Sequence, residues 1–169
     1  MNIRRLTPAD ALIFQSLRLR ALRESPTAFG SSYVEEKDFP ISVIEERLAV
    51  KTDCGVFGAF EKDELIGIVA LGRETKHKLA HKALIWGMYI SPQNRGQGAG
   101  RALLQEALSL ARSIEGIRQI NLCVNATNMG AIRLYESLGF EAFGREPAAM
   151  LIDGKPHDEI HMCLRFNRI

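Results

Sequence analysis

The run Arg95-Gly96-Gln97-Gly98-Ala99-Gly100 sets three glycines at alternate positions, after the apolar stretch KALIWGMYIS (82–91) and before a Leu/Ala-rich one. Glycine is entropically costly to order, so a run of it at the mouth of a helix needs a reason. The first amides of a helix have no partner inside it, and the helix dipole adds positive potential there. Bare backbone at that point therefore suits an anion such as phosphate. A P-loop would need G-x-x-x-x-G-K-S/T, and no Lys-Ser/Thr pair follows these glycines. A dinucleotide fingerprint would need G-x-G-x-x-G, and its third glycine is missing. Two readings of the motif remain open: a seat for the pyrophosphate arm of coenzyme A, and a glycine-rich turn that only packs closely. A second stretch, NATNMGAIRLYESLGF (125–140), puts Asn128, Ala131 and Tyr135 on one helical face. Taken alone, Asn128 reads as a helix N-cap and Tyr135 as a core aromatic.

These residues need elements to position them. Residues 2–6 read as a strand, and Thr7-Pro8-Ala9-Asp10 opens a helix that continues to about Glu24, where Ser25-Pro26 stops it. Residues 27–39 read as loop with at most one helical turn, and residues 40–50 as a helix. Strands follow at 54–61, 64–73 and 82–91, the first two joined by Lys62-Asp63. A helix over 98–115, a strand at 119–124 and a helix over 128–138 ending at Gly139 come next. Strands at 141–146 and 157–166 close the chain, with a turn-bearing insert expected between them. The order predicts a mixed sheet with helices packed against it, in one domain over residues 1–169.

Composition sets the remaining bounds. The chain has 169 residues, 46% of them hydrophobic and 25% charged, with a net charge of +2. That charge gives no argument for nucleic acid or for a membrane surface. No apolar run is long enough to span a bilayer, and MNIRRLTPAD lacks the apolar core of a signal peptide, which predicts a cytoplasmic protein. Cys54, Cys123 and Cys163 are odd in number and scattered, so neither a disulfide framework nor a zinc site is expected. Each lies in an apolar run and is expected to be a buried free thiol.

Together, the two stretches resemble the GNAT superfamily of N-acetyltransferases. That family carries Q/R-x-x-G-x-G/A between a strand and a long helix, matched here by Arg95 to Gly100. It then shows a strand, an asparagine and a helix ending in L-Y-x-x-x-G-F, matched by Asn128 and by Leu134 to Phe140. The element order agrees over essentially the whole chain. The resemblance implies an α/β fold with a mixed, mostly antiparallel sheet of about 6–7 strands, splayed at the middle and flanked by about 4 helices. It implies an acetyl-CoA-dependent transfer of acetyl to a primary amine by direct attack on the thioester, without a metal. The acceptor could be a small amine, an amino acid, a drug or a protein amine.

On that resemblance, the amides of Arg95, Gly96, Gln97, Gly98, Ala99 and Gly100 hold the pyrophosphate, with Asn128 and Ala131 beside the cofactor arm. Strand residues Met88, Tyr89 and Ile90 run along the pantetheine, and one of their N–H groups polarises the acetyl carbonyl. Tyr135 sits where the family often has its general acid, and a phenol is protonated at neutral pH. The family's usual strand glutamate is missing from Ala83-Leu84-Ile85-Trp86-Gly87-Met88. Glu35 and Glu36 are therefore base candidates, as are His157, Asp158 and Glu159. Phe29, Tyr33 and Trp86 are candidates for the acceptor pocket. Family members often dimerise, so a homodimer is an expectation. The missing strand carboxylate leaves a second reading, an acyl-CoA-binding sensor without activity, and Tyr135 argues against it.

Overall fold

The computed structural model describes residues 1–166; residues 167–169 of the expected domain lie outside them. One seven-stranded sheet runs through the chain in the order β1-β2-β3-β4-β5-β7-β6. Its strands are β1 (Asn2–Arg5), β2 (Cys54–Glu61), β3 (Glu64–Arg73), β4 (Lys82–Ile90), β5 (Gln119–Asn125), β6 (Glu141–Ile152) and β7 (Lys155–Arg165). Only β4 and β5 pair parallel; every other neighbour is antiparallel. The helices are α1 (Ala11–Glu24), the single turn α2 (Tyr33–Glu36), α3 (Ile41–Arg47), α4 (Ala99–Ser113) and α5 (Met129–Glu136).

The sheet has a core on each face. On one, Leu103, Leu104, Ala107 and Leu108 of α4 and Ile132 and Tyr135 of α5 pack on Ile85, Ile120, Leu122 and Met162. On the other, Phe14, Leu17 and Ala21 of α1 and Ile44 of α3 pack on Val56, Ile68, Ala70 and Tyr89. The helical spacing of the α4 residues, already visible in the sequence, is what lets one side of that helix bury completely.

Two irregularities shape the middle of the sheet. First, β4 pairs with β5 only over Lys82–Leu84 against Gln119–Asn121, and beyond that the strands part. Second, the β3–β4 register shifts between Ile68 and Ala70, so Gly87 and Met88 stand against Val69. Gly87 takes φ +64 there, a conformation that favours glycine. The extra residue flips the strand's alternation. Ala83 and Ile85 face α4 before it; after it Ile90 faces α4 and Tyr89 faces α1.

The last hairpin differs from expectation. Instead of two short strands around an insert, β6 and β7 are long and meet at Asp153-Gly154, both with positive φ. The register shifts between Glu146 and Met150, so residues 147–149 bulge opposite Asp158. The Asp158 carboxylate holds the bulge, accepting from Ala148 N and Arg145 Nε, both at 2.9 Å. Pro147 and two alanines break the alternation of the sequence at that point, which disguises a continuous strand as an insert. The opening of α1 also differs slightly: Pro8–Asp10 form one 3-10 turn, and the α-helix begins at Ala11.

Candidate active site

A cleft of about 810 Å³ runs from the start of α4 along β4 to α5. Met88, Tyr89, Ile90, Arg95, Gly96, Gly98 and Gly100 line one side, and Asn128, Ala131 and Tyr135 the other. Gly96 and Gly98 have φ of +74 and +86, and a Cβ on either would meet no protein atom within 4 Å. The glycines are therefore required by backbone conformation, and the space before them is open. Gly100 differs, since a Cβ there would press on Leu134 at 3.1 Å and Met88 at 3.2 Å. Gln97 and Ala99 do not line the cleft. Ala99 is buried in the α4 core, and Gln97 turns its amide back to Gln93 O at 3.1 Å. Arg95 folds back as well, with Nε donating to Ile90 O at 2.9 Å.

Asn128 caps α5, its Oδ1 accepting from Ala131 N at 3.2 Å. Tyr135, about two turns further on, is 5% exposed and stands edge-on to Phe140. Burial pushes its phenol up to about 12, so it stays protonated through the neutral range.

Where β4 and β5 part, a second cavity of about 90 Å³ opens between Trp86, Gly87 and Met88 on one strand and Leu122, Cys123 and Val124 on the other. Tyr135 reaches it from the α5 side, and Ala28 and Glu159 border it too. Glu159 is half-buried, and β7 alternation places it on the same face as His157 and His161, away from the α4 core.

Several expected site residues sit elsewhere. Glu36 is buried and bound on both sides: Arg18 Nη2 lies at 2.7 Å and Arg47 Nη1 at 3.1 Å. Burial alone would raise its pKa, but hydrogen bonds and charge from Arg18, with Ser31 and Arg47, outweigh that and hold it at about 2. Such a group is a structural anion and a poor proton acceptor. Glu35 is exposed and closes a capping box with Ser32, whose N–H it accepts at 2.7 Å. Neither glutamate lines the two cavities. Phe29 is buried under Arg18 and beside Tyr89, with ring centroids 6.4 Å apart. Tyr33 stacks under Arg23 at 3.9 Å. Of the three aromatic candidates, Trp86 alone lines either cavity. Among the other base candidates, Asp158 is committed to the bulge, and His157 does not line the gap.

The cysteines also depart from expectation. Cys163 is buried and Cys54 half-buried, but Cys123 is exposed in the gap. Its Sγ lies 3.3 Å from His161 Nδ1, and His161 Nε2 lies 2.9 Å from Glu146 Oε2. His161 was missed in the sequence. The signal was present in H-D-E-I-H (157–161), whose odd positions share one strand face. Among the described residues no group of three or more His, Cys, Asp or Glu is placed to hold a metal ion, and no helix is long and apolar enough to cross a membrane.

A family model for acetyltransferases of the GNAT family matches residues 19–140. The chain belongs to that family. The GNAT fold is shared with solved structures across nearly the whole chain. An acetyltransferase of the GNAT family from Streptococcus pneumoniae superposes with a TM-score of 0.86 at 24% identity, covering 98% of this chain and 99% of that one. The yncA protein of Salmonella typhimurium, solved with its cofactor acetyl-CoA, gives 0.84 at 22% identity, covering 100% and 95%. Among sequence relatives, protein ML0378 of Mycobacterium leprae is 34% identical over 66% of this chain and 30% of its own length. The spermidine N(1)-acetyltransferase of Vibrio cholerae is 31% identical over 59% of this chain and 56% of its own. The chain thus spans less than two thirds of either relative.

Proposed function

We infer that this GNAT chain is an N-acetyltransferase that moves acetyl from acetyl-CoA to a primary amine by direct attack on the thioester. One observation carries the reading: the left-handed glycines ahead of α4 and the protonated phenol of Tyr135 open on one cleft, beside the point where β4 and β5 part. Family membership supports it, as do the Vibrio relative that acetylates spermidine and the Salmonella neighbour solved with acetyl-CoA.

The residues present fit the cofactor. Amides at the head of a 15-residue helix suit a diphosphate, and the cleft volume is that of a small-molecule site. Beyond Leu84, the β5-facing edge of β4 has no strand partner among the described residues, which suits an amide-bearing arm laid along it. When bound, acetyl-CoA supplies an activated acetyl group. The protein's part is then polar and protonic. A β4 N–H near Met88–Ile90 stabilises negative charge on the carbonyl oxygen. Tyr135 holds a proton for the leaving sulfur. Glu159, the carboxylate in the gap, takes the proton that the amine must lose. Trp86 borders the acceptor side.

The test is release of free coenzyme A thiol across a panel of amines, amino acids and peptides, with acetyl-CoA binding followed by thermal shift. Release with one acceptor class and loss of turnover in Tyr135→Phe, at unchanged cofactor affinity, are the expected results. Tight binding with no release across the panel would overturn the catalytic reading in favour of an acyl-CoA sensor.

A further inference from the structure

The face of the sheet opposite α4 and α5 carries a line of three side chains that the transfer to an amine does not use. Cys123 on β5 and His161 on β7 are direct cross-strand partners. Sγ stands 3.3 Å from Nδ1, and Nε2 stands 2.9 Å from Glu146 Oε2 on β6. A carboxylate only accepts, so Nε2 carries the hydrogen in this pair, and the Nδ1 lone pair faces the thiol. A nucleophile, a base and an orienting carboxylate therefore stand in order. They lie in a line and do not converge on a point. The thiol is also where the chemistry would be: Cys123 lines the gap with Tyr135, and Cys54 and Cys163 do not.

We propose that Cys123 is itself an acyl acceptor, taking the acetyl group from acetyl-CoA when no amine fills the gap. The proposal rests on the reading of the cleft as an acetyl-CoA site. In the step, the thiol proton passes to His161 Nδ1 as Sγ bonds to the acetyl carbonyl carbon. The bond from that carbon to the coenzyme sulfur breaks, and Tyr135 gives the departing thiolate a proton. Tyr135 regains a proton from water, and His161 returns its own to water. The products are S-acetyl-Cys123 and coenzyme A thiol. One thioester replaces another, with no change of oxidation state and no further reactant. Partial desolvation in the gap and the nearby carboxylates of Glu159 and Glu146 raise the thiol's pKa, so the resting group is S–H and needs His161 at the moment of attack. The gap, about 90 Å³, is small beside the 810 Å³ cleft, which suits acetyl over a long acyl chain.

The experiment incubates the full chain with acetyl-CoA and no amine, then measures intact mass, maps the modified peptide and titrates released coenzyme A. Expected are one acetyl per chain on Cys123, with one equivalent of coenzyme A, and none on Cys123→Ala. His161→Gln should load about 10²-fold more slowly, the scale of a lost general base, with acetyl-CoA binding unchanged by thermal shift. Alkylation of Cys123 by iodoacetamide, without any acetyl-CoA, should slow in the same variant and so reports on the base independently of the donor. A protein that binds acetyl-CoA but gains no acetyl on Cys123 overturns the proposal. Equal loading or equal alkylation in His161→Gln overturns the role of the base. Absence of any thermal shift with acetyl-CoA would instead overturn the reading of the cleft, and the proposal with it.

Discussion

Replacing Glu36 by glutamine separates the role expected of it from sequence, a catalytic base, from the one it has in the fold. The carboxylate is 2% exposed and takes hydrogen bonds from Arg18 Nη2 at 2.7 Å, Arg18 Nε at 3.2 Å and Arg47 Nη1 at 3.1 Å. Its pKa falls from 4.5 to about 2. At about 1.4 kcal/mol per pH unit, that depression links about 3 kcal/mol of stability to its ionisation. The sign follows from a lowered folded-state pKa. The contribution is complete above pH 4.5 and drains away as pH falls toward 2. Glutamine keeps the shape but leaves the guanidinium of Arg18, 5% exposed, beside a neutral amide. Breaking one partner of a buried pair costs about 3–5 kcal/mol. Urea denaturation of both proteins should therefore show a gap of about 3 kcal/mol at pH 7, with roughly half of it gone near pH 3. Acetyl-CoA binding, measured where both are folded, should be unchanged. A gap under about 1 kcal/mol at pH 7, or full stability with lost turnover, would refute this reasoning and return Glu36 to the list of bases.

Three further outcomes are expected. Gly98→Val places a side chain at φ +86, where a non-glycine residue costs about 1–2 kcal/mol, and projects it into the open cleft. Stability should fall modestly and acetyl-CoA affinity, by calorimetry, severely; intact affinity would remove the pyrophosphate from this loop. Asn128→Ala deletes the cap of α5 and should cost about 1 kcal/mol in thermal or urea unfolding while weakening acetyl-CoA binding. An unchanged unfolding transition would deny the cap its role. In an alkaline absorbance titration, Tyr135 and Tyr89 should ionise near pH 12, Tyr135 through burial and Tyr89 through burial and its hydrogen bond to Glu24. Their folded pKa values lie above the ordinary 10, so the stability they lend is whole below pH 10 and lost between 10 and 12. Tyr135→Phe should delete one phenol from that late step, and a phenol lost from the early part of the curve would show Tyr135 to be solvated.

What could be read in the sequence is what is local in the chain. The glycines ahead of α4 and the Asn128–Tyr135 face of α5 each sit within a dozen residues, and helical spacing keeps them together whatever the rest of the fold does. The strands from β2 to β4 were legible for the same reason. The β5–β7 side of the gap was not. It is assembled by strand register from β5, β6 and β7, and register depends on a bulge at residues 147–149 that a Pro-Ala-Ala run conceals. Cys123 shows the cost. In sequence it lies in an apolar run and reads as buried, but Leu122 and Val124 take the core face and leave it on the other. Glu36 shows the converse, a charged pair of residues in a loop that looked solvated until Arg18 and Arg47 closed around one member.

The break between β4 and β5 explains why these two halves of the site meet. An unbroken sheet would separate α5 from the face that carries Cys123 and Glu159, and Tyr135 could not share a cavity with either. The parallel pair is hydrogen-bonded only as far as Leu84 and Asn121, and the Gly87–Met88 bulge bends β4 from that point on. The gap so made is lined from both faces of the sheet, by Tyr135 of α5 on one and by Cys123 and Glu159 on the other. The split is made by backbone alone, through the end of β4–β5 pairing and the bulge at Gly87 and Met88, which leaves the side chains around it free to vary.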